Sequence, residues 1–300
     1  MDAQLIRLLL AQLPTRLFHS KPPPILYKYF APERIDVLQN RKIRFTQPPV
    51  FNDPFESFPA FSQFMRPTDL EQALRLQPNL TEETRHAMLK ESVIGPIGRL
   101  IAPVILDTFA RCHGVLSLTE KYDNLLMWAH YARSHEGFVV GFKTSEPFLN
   151  WRSPSRAHSD IMLRKVRYSR RRPTVKFLTE TGLIFFYFTK SKEWAYEQEW
   201  RMFTAMVAEE VAPWLESALT SIAESRTVPA TPEYPICLFD FPPSSVSRVI
   251  LGCRASAETC RAVRLVVSAK YPKAELLKVE RDESKFCLTV GPFAHEQRRN

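Results

Sequence analysis

Prolines and short apolar runs constrain the fold of this chain more than any other feature. The 300 residues include 24 prolines and only 8 glycines. Apolar runs such as ILYKYF at 25–30 and FVVGF at 138–142 are short enough for single strands, and helical or irregular stretches separate them. Strand and helix do not alternate regularly, so the pattern predicts an α+β fold. Its sheet is expected to be mixed or mainly antiparallel rather than doubly wound.

One main domain is predicted to follow an N-terminal extension. Residues 1–24 predict an amphipathic helix and the stiff connector SKPPP, and residues 25–300 predict a single α+β domain with a helical insertion at about 66–112. Arg7 interrupts the N-terminal apolar stretch, which is untypical of a signal peptide, and no window approaches the ~20 apolar residues of a membrane span. Five widely spaced cysteines without a CxxC favour the cytoplasm.

Composition and charge narrow the classes of function. Neither GxGxxG nor GxxxxGK[ST] occurs, so the dinucleotide-binding fingerprint and the P-loop are not supported. The net charge of +9 raises the expectation of an anionic partner. The run RKVRYSRRRP makes Arg164, Arg170, Arg171 and Arg172 candidate contacts for nucleic acid, with a solvated basic surface as the alternative.

Two glutamates among aromatic residues are the first candidate site. In WAYEQEWRMF, a strand would place Glu197 and Glu199 on one face. Repulsion between them would then raise one pKa and leave a poised acid or base. The alternative is a patch of salt bridges, because Lys190, Lys192 and Arg201 are close in sequence.

A predicted helix and a predicted loop supply further candidates. In MWAHYARSHEG, His130 and Tyr131 offer an acid or base, and Trp128 offers a stacking surface; docking of the helix by its aromatic residues is the alternative. His130 and His135 are five residues apart, whereas zinc ligands on a helix prefer a separation of four, so no metal site is expected. In FNDPFE, Asn52 and Asp53 suit either a ligand loop or a purely structural turn.

Together these stretches resemble DUF2971, a bacterial domain family whose name implies no activity. The resemblance is carried by LYKYF at 26–30, FTQPPVFNDPFE at 45–56, VLSLTE at 115–120, LLMWAHYARSHEGFVVGF at 125–142, VRYS at 166–169, KSKEWAYEQEWRMF at 190–203 and RVILG at 248–252.

The order of these elements is more distantly similar to the plan of ADP-ribosyltransferases, which is built around NAD. This similarity implies that Glu199 holds the ribose 2′-hydroxyl and that Glu197 orients the acceptor. It implies nicotinamide stacking by Tyr131 or Trp128, with His130 nearby. The chain departs from that plan in having Lys28 where Arg or His is usual.

The same similarity implies a set of NAD-binding residues around the reacting ribose. Lys28 or Arg201 would meet the pyrophosphate, and the other candidates are Tyr27, Tyr29, Asn52, Asp53 and Lys192.

The sequence thus predicts an NAD-dependent ADP-ribosyltransferase-like enzyme, a bacterial toxin or antiphage effector that modifies a protein or nucleic acid. Two alternatives stay open. One is a metal-dependent nuclease or nucleotide hydrolase that uses Asp53, Glu56, Glu197 and Glu199. The other is a non-catalytic sensor of nucleic acid or nucleotide.

Overall fold

The structure is a computed structural model, and it describes residues 20–56, 113–149, 162–172, 187–205 and 236–293, with isolated positions between 71 and 86. The predicted N-terminal helix lies outside these residues, and so does nearly all of the predicted insertion at 66–112. Within the described ranges, no helix has the length and apolar character needed to cross a membrane.

The described strands are short, as the apolar runs predict. They are β1 (Ile25–Phe30), β2 (Lys42–Phe45), β3 (His113–Thr119), β4 (Phe138–Lys143), β5 (Met162–Lys165), β6 (Arg167–Ser169), β7 (Thr189–Ser191), β8 (Glu199–Ala205), β9 (Cys237–Asp240), β10 (Val246–Leu251), β11 (Glu275–Arg281) and β12 (Leu288–Pro292).

Eight of these strands form one sheet in the order β12-β11-β10-β4-β1-β3-β8-β5. Every pairing in it is antiparallel except that of β10 with β11. Outside it, β2 pairs with β9 and β6 pairs in parallel with β7. The predicted α+β fold with a mixed, mainly antiparallel sheet is confirmed.

Three α-helices accompany the sheet in the described residues: α1 (Asp36–Asn40), α2 (Leu125–Tyr131) and α3 (Ala257–Lys270). Ser256 caps α3 by accepting a hydrogen bond of 3.1 Å from the Thr259 amide. This helix forms the crossover that the parallel pair of β10 and β11 requires.

The two faces of the sheet build two separate cores. Alternation along β1 sends Leu26 and Phe30 to one face, where they pack with residues of α3. Tyr27 and Tyr29 point to the opposite face and pack beneath α2 against Trp128. The candidate site lies on this second face.

Helix α2 is shorter than the sequence predicts. It ends at Tyr131 instead of running to Gly137, because Arg133, Ser134 and His135 take left-handed backbone conformations with φ of 47°, 53° and 70°. Gly137 has a different role, since a Cβ there would lie 2.0 Å from the Phe30 carbonyl oxygen. The glycine therefore permits close approach of the chain to β1.

The segment before the two glutamates also differs from the prediction. The run LIFFYFTK at 183–190 predicts a helix; Tyr187 is helical, but strand β7 begins at Thr189, before the predicted end. A 3-10 helix then spans Lys192–Glu197. Four other 3-10 turns are described, at Pro32–Ile35, Pro48–Val50, Pro147–Leu149 and Pro243–Ser245.

Candidate functional site

A cavity of about 130 Å³ opens on the α2 side of the sheet, beside the junction of β1 and β3. The two strands are paired at one position, Tyr27 with Thr119. Farther along β3, Val115 pairs with Thr46 of the chain after β2 instead. Between these two points β1 and β3 are not paired, and the Lys28 side chain reaches the Ser117 carbonyl oxygen there.

Four of the segments singled out in the sequence meet around this cavity. Its lining includes Lys28 from β1, Asn52 from the FNDPFE loop, Tyr131 from α2, and both glutamates of the EQE stretch, Glu197 and Glu199. Tyr27, Tyr29 and Glu56 also contribute to the lining. Candidate residues that are as many as 172 positions apart in the chain, Tyr27 and Glu199, thus share one surface.

Lys190 is the centre of an ion-pair network in the cavity wall. Its Nζ lies 2.6 Å from Glu197 Oε2, 3.3 Å from Glu199 Oε2 and 3.4 Å from Glu56 Oε2. All four side chains are buried, and the ring of Trp194 lies 4.9 Å from the ammonium. One ammonium therefore joins three carboxylates at the point where they converge.

Arg201 is the second cation of the network and is completely buried. Its Nε donates to Glu199 Oε1 at 2.7 Å and its Nη2 to Glu199 Oε2 at 2.9 Å. Nη2 also pairs with Glu56, and Nη1 donates to the Tyr187 carbonyl oxygen at 2.6 Å. This two-bond fork fixes the plane of the Glu199 carboxylate. Arg201 is not among the residues that line the cavity, so its guanidinium is not exposed there to meet a pyrophosphate.

The salt-bridge interpretation of the EQE stretch is therefore confirmed for Lys190 and Arg201. Lys192 differs from them, because its side chain is exposed and it is not among the cavity-lining residues. The ion pairs and the cavity involve the same carboxylates, so salt bridging and a functional role are compatible here.

Glu197 enters the network through a left-handed turn. It is the last residue of the 3-10 helix, Gln198 has φ 45° and ψ 52°, and β8 begins only at Glu199. The prediction that both glutamates lie on one strand face was wrong. Their carboxylates still meet because the turn redirects the chain, and Thr119 Oγ1 holds this turn by donating to the Glu197 carbonyl oxygen.

Helix α2 presents Tyr131 to the network. The Tyr131 hydroxyl donates to Glu197 Oε1 at 2.7 Å and accepts from Asn52 Nδ2 at 3.3 Å. Asn124 caps the helix through the Met127 amide, and its Nδ2 donates to the Tyr196 carbonyl oxygen. The cap therefore also ties the helix to the segment that carries Glu197.

Lys28 approaches the cavity where β1 and β3 are not paired. Its Nζ donates to the Ser117 carbonyl oxygen at 3.0 Å. Burial lowers the pKa of Lys28 to about 8, against the opposing attraction of Glu199. An ammonium so placed can bind an oxygen atom or anionic group of a ligand.

The two glutamates of the EQE stretch have opposite pKa shifts. Burial raises the pKa of Glu197, and the neighbouring Lys190 charge only partly offsets this effect. Burial also disfavours the charged form of Glu199, but the charges of Arg201 and Lys190 outweigh it and lower the pKa of Glu199 to about 2. Near neutral pH, Glu199 is a fixed negative charge and Glu197 is the better proton acceptor.

Some residues of the network were missed by the sequence reasoning. Lys190 was considered only as a salt-bridge partner and Glu56 only as a metal ligand. Tyr168 was noted only beside the basic run, yet its hydroxyl accepts a 2.8 Å hydrogen bond from the Glu199 amide. No sequence spacing signals these contacts, because β6 pairs with β7 only in the tertiary structure.

Two predicted residues of α2 do not line the cavity. Trp128 is fully buried, its Nε1 donates to the Tyr122 carbonyl oxygen at 2.7 Å, and its ring packs against Tyr29 at 5.3 Å. It is a core residue and is not available to stack on nicotinamide. His130 is exposed and contacts the site only indirectly, through a ring contact of 6.3 Å with Tyr131.

The carboxylates proposed for a metal site do not all converge. Asp53 is buried in its own loop, where Oδ1 accepts from the Phe55 amide at 2.9 Å, as a structural turn requires. The convergence point of Glu56, Glu197 and Glu199 is occupied by the Lys190 ammonium. In the ranges that the structure describes, no group of three or more His, Cys, Asp or Glu residues is arranged to hold a metal ion.

The basic run divides into one buried and three exposed arginines. Arg164 lies on β5 opposite Arg201 and is buried, so it does not belong to the protein surface. Arg170, Arg171 and Arg172 are exposed just after β6.

Residues 127–202 match the family model of a protein of unknown function, DUF2971. Over this segment, the match bears out the resemblance to DUF2971 seen in the sequence. The matched segment contains Tyr131, Lys190, Glu197, Glu199 and Arg201, which form most of the network. No curated protein and no solved structure matches the chain, so the similarity to ADP-ribosyltransferases stays a prediction.

Proposed function

We propose that this protein breaks the N-glycosidic bond of NAD and transfers ADP-ribose to an acceptor. The observation that carries the proposal is the pair Glu197 and Glu199, which Lys190 holds together at one cavity while their pKa values shift in opposite directions. Chemistry at a glycosidic carbon uses such a pair, one carboxylate that stays ionised and one that exchanges a proton.

Glu199 is the fixed charge in this proposal. Cleavage of the nicotinamide–ribose bond passes through an oxocarbenium-like state with positive charge on the ribose. A carboxylate that is already oriented stabilises this charge without further reorganisation. Arg201 supports that role by fixing both oxygens of Glu199.

Glu197 is the proton acceptor. When the C1′–N1 bond of the nicotinamide riboside breaks, its electron pair goes to the nicotinamide nitrogen and neutralises the pyridinium. The new bond joins C1′ to an oxygen or nitrogen of the acceptor, whose proton passes to Glu197. The raised pKa of Glu197 suits this step. The similarity to ADP-ribosyltransferases implies only that Glu197 orients the acceptor; here we assign it proton transfer as well.

The remaining residues that line the cavity would bind the donor, NAD. The cavity volume of about 130 Å³ is below the roughly 300–1,000 Å³ of ordinary ligand sites, so it accommodates the reacting ribose while the rest of NAD lies outside. Lys28 supplies the cation for a phosphate or ribose oxygen, and Tyr131 supplies the ring near nicotinamide. Asn52 completes this set through its hydrogen bond to Tyr131.

The proposal also implies where the protein acts and what its activity does to a cell. The donor requires action in the cytoplasm, where NAD is present. Irreversible modification of a cell component is the activity of a toxin or an antiphage effector, and growth arrest on expression is the matching cellular readout.

The test is transfer of label from adenylate-labelled NAD to bacterial lysate. Wild type is expected to label a macromolecule at the same rate with and without EDTA. Glu197→Gln is expected to lower the rate by about 10²–10⁴-fold, the usual contribution of a general base. Glu193→Gln is the matched control, because Glu193 is an exposed glutamate of the same 3-10 helix. Absence of NAD consumption, or equal rates in both variants, would refute the proposed function.

A further inference from the structure

We infer that single-stranded nucleic acid binds a surface beside the cavity. This surface, termed the basic–aromatic surface, consists of Phe55, Arg170, Arg171, Arg172 and Lys192. All five side chains are exposed. Binding to it goes beyond the proposed reaction and does not depend on that reaction.

The charge of this surface is concentrated and of one sign. Residues 167–172 include four arginines and no aspartate or glutamate. Arg170, Arg171 and Arg172 have consecutive exposed side chains there. Ser169 orders the turn, because its hydroxyl accepts from the Arg171 amide at 3.0 Å and donates to the Arg171 carbonyl oxygen at 2.8 Å. An ordered run of cations suits the regularly spaced phosphates of a nucleic-acid backbone.

Strand pairing places this run next to the cavity. In the parallel pair of β6 and β7, Tyr168 is opposite Lys190, and Ser169 is opposite Ser191. Arg170 and Lys192 therefore leave the same end of the two strands. Since the Lys190 ammonium is in the cavity wall, the exposed cations begin only two residues beyond the site.

Phe55 adds an aromatic surface to these cations. Its side chain is 61% exposed, and the Arg172 guanidinium lies 4.7 Å from its ring centroid. The ring belongs to the same loop as Asn52 and Glu56, which line the cavity, and its amide is held by Asp53 Oδ1. A fixed and exposed phenylalanine beside arginines is the arrangement on which unpaired bases stack.

This combination favours single-stranded nucleic acid over other anionic partners. An acidic protein or an anionic membrane is attracted by the cations, but its binding does not require an exposed aromatic ring beside a guanidinium. Duplex DNA offers phosphates while its bases stay stacked within the helix. A strand with unpaired bases uses both the charges and the ring. Its further role as the ADP-ribose acceptor rests on the function proposed above.

The first experiment measures fluorescence anisotropy of a labelled mixed-sequence 20-nucleotide single strand, without NAD, at several salt concentrations. Changing Arg170, Arg171 and Arg172 to Gln should weaken binding at least tenfold. Loss of three phosphate contacts should also reduce the slope of log K against log salt by about 2, since each contact contributes roughly 0.7 for single strands. A control triple variant, Arg261→Gln with Lys273→Gln and Lys285→Gln, removes equal charge from other exposed positions and should bind like wild type.

The second experiment separates stacking from charge. Phe55→Leu should weaken binding about tenfold with an unchanged salt slope, whereas Phe55→Trp should retain binding. Thermal melts of each variant verify the fold. Equal affinity of Phe55→Leu and Phe55→Trp, or equal loss in both triple variants, would overturn the inference. So would stronger binding to anionic vesicles, polyglutamate or duplex DNA than to the single strand.

Label transfer to the same strand with NAD distinguishes the two proposals. Binding without transfer would uphold the surface and reject the nucleic acid as acceptor. Transfer to lysate protein without binding of the strand would uphold the enzyme and reject the surface.

Discussion

Replacement of Lys190 by methionine tests the ion-pair network, because it removes the cation that joins three buried carboxylates. Glu199 keeps its fork to Arg201, and Glu56 also keeps Arg201, whereas Glu197 keeps only the Tyr131 hydroxyl. Glu197 is therefore expected to become protonated in the folded variant. Removal of one partner from a buried ion pair costs about 3–5 kcal/mol in general.

The pH dependence of this cost can be worked out for Glu197. Holding a carboxyl of ordinary pKa about 4.3 in its neutral form costs roughly 1.4 kcal/mol per pH unit above that value. The cost is therefore about 5 kcal/mol at pH 8 and about 1 kcal/mol at pH 5. The cost increases with pH because burial already raises the folded-state pKa of Glu197 above its unfolded value. Stability from the neutral carboxyl is present at acid pH and is lost as the pH rises through the folded-state pKa.

Urea unfolding, followed by tryptophan fluorescence at pH 5 and pH 8, measures the difference between variant and wild type. Lys190→Met should lose about 3–5 kcal/mol at pH 8 and markedly less at pH 5. The control Lys192→Met changes an exposed lysine two residues away and should stay within about 0.5 kcal/mol. Adding Glu197→Gln to Lys190→Met should recover part of the loss at pH 8. A loss that is equal at both pH values, or below about 1 kcal/mol at pH 8, would refute this reasoning.

Three further substitutions test how the site is held. Gly252→Ala should destabilise the fold by about 1–3 kcal/mol in thermal melts, because the new Cβ would lie 2.1 Å from a backbone oxygen, whereas Gly291→Ala meets nothing within 4 Å and should be neutral. Tyr131→Phe should cost about 1 kcal/mol of stability and slow NAD turnover about tenfold by releasing Glu197; unchanged turnover would count against Tyr131. Asn124→Ala should lower the free energy of unfolding in urea by about 1 kcal/mol, because it removes the α2 cap. Asn124→Asp should keep the cap and most of this stability.

Periodicity and turn residues predicted much of the fold. The strands at 25–30 and 138–143 follow from the short apolar runs ILYKYF and FVVGF. Asp123 and Asn124 are both capping-type residues before α2, and Asn124 is the one that caps it. The end of α2 was not predictable in this way, because Arg133, Ser134 and His135 take left-handed conformations that non-glycine residues rarely adopt. Hydrogen bonds made by the surrounding structure hold them there, such as that from the His135 amide to the Trp128 carbonyl oxygen.

The candidate site was predictable in its segments but not in its contacts. Glu197, Glu199, Tyr131 and Lys28 all line one cavity. Strand alternation misplaced Glu197, since nothing in its sequence neighbourhood marks Gln198 as left-handed. Local patterns also cannot distinguish a buried tryptophan from a stacking one, and Trp128 belongs to the core for reasons of tertiary packing.

Release of nicotinamide from purified NAD is the most direct measurement of the central claim. Wild type, Glu197→Gln and Glu193→Gln would be compared at equal concentration, with a saturating acceptor or lysate and with thermal melts to verify folding. The account predicts release by wild type and by Glu193→Gln, and a rate at least 10²-fold lower in Glu197→Gln. No release by wild type, or the same rate in Glu197→Gln as in Glu193→Gln, would contradict it.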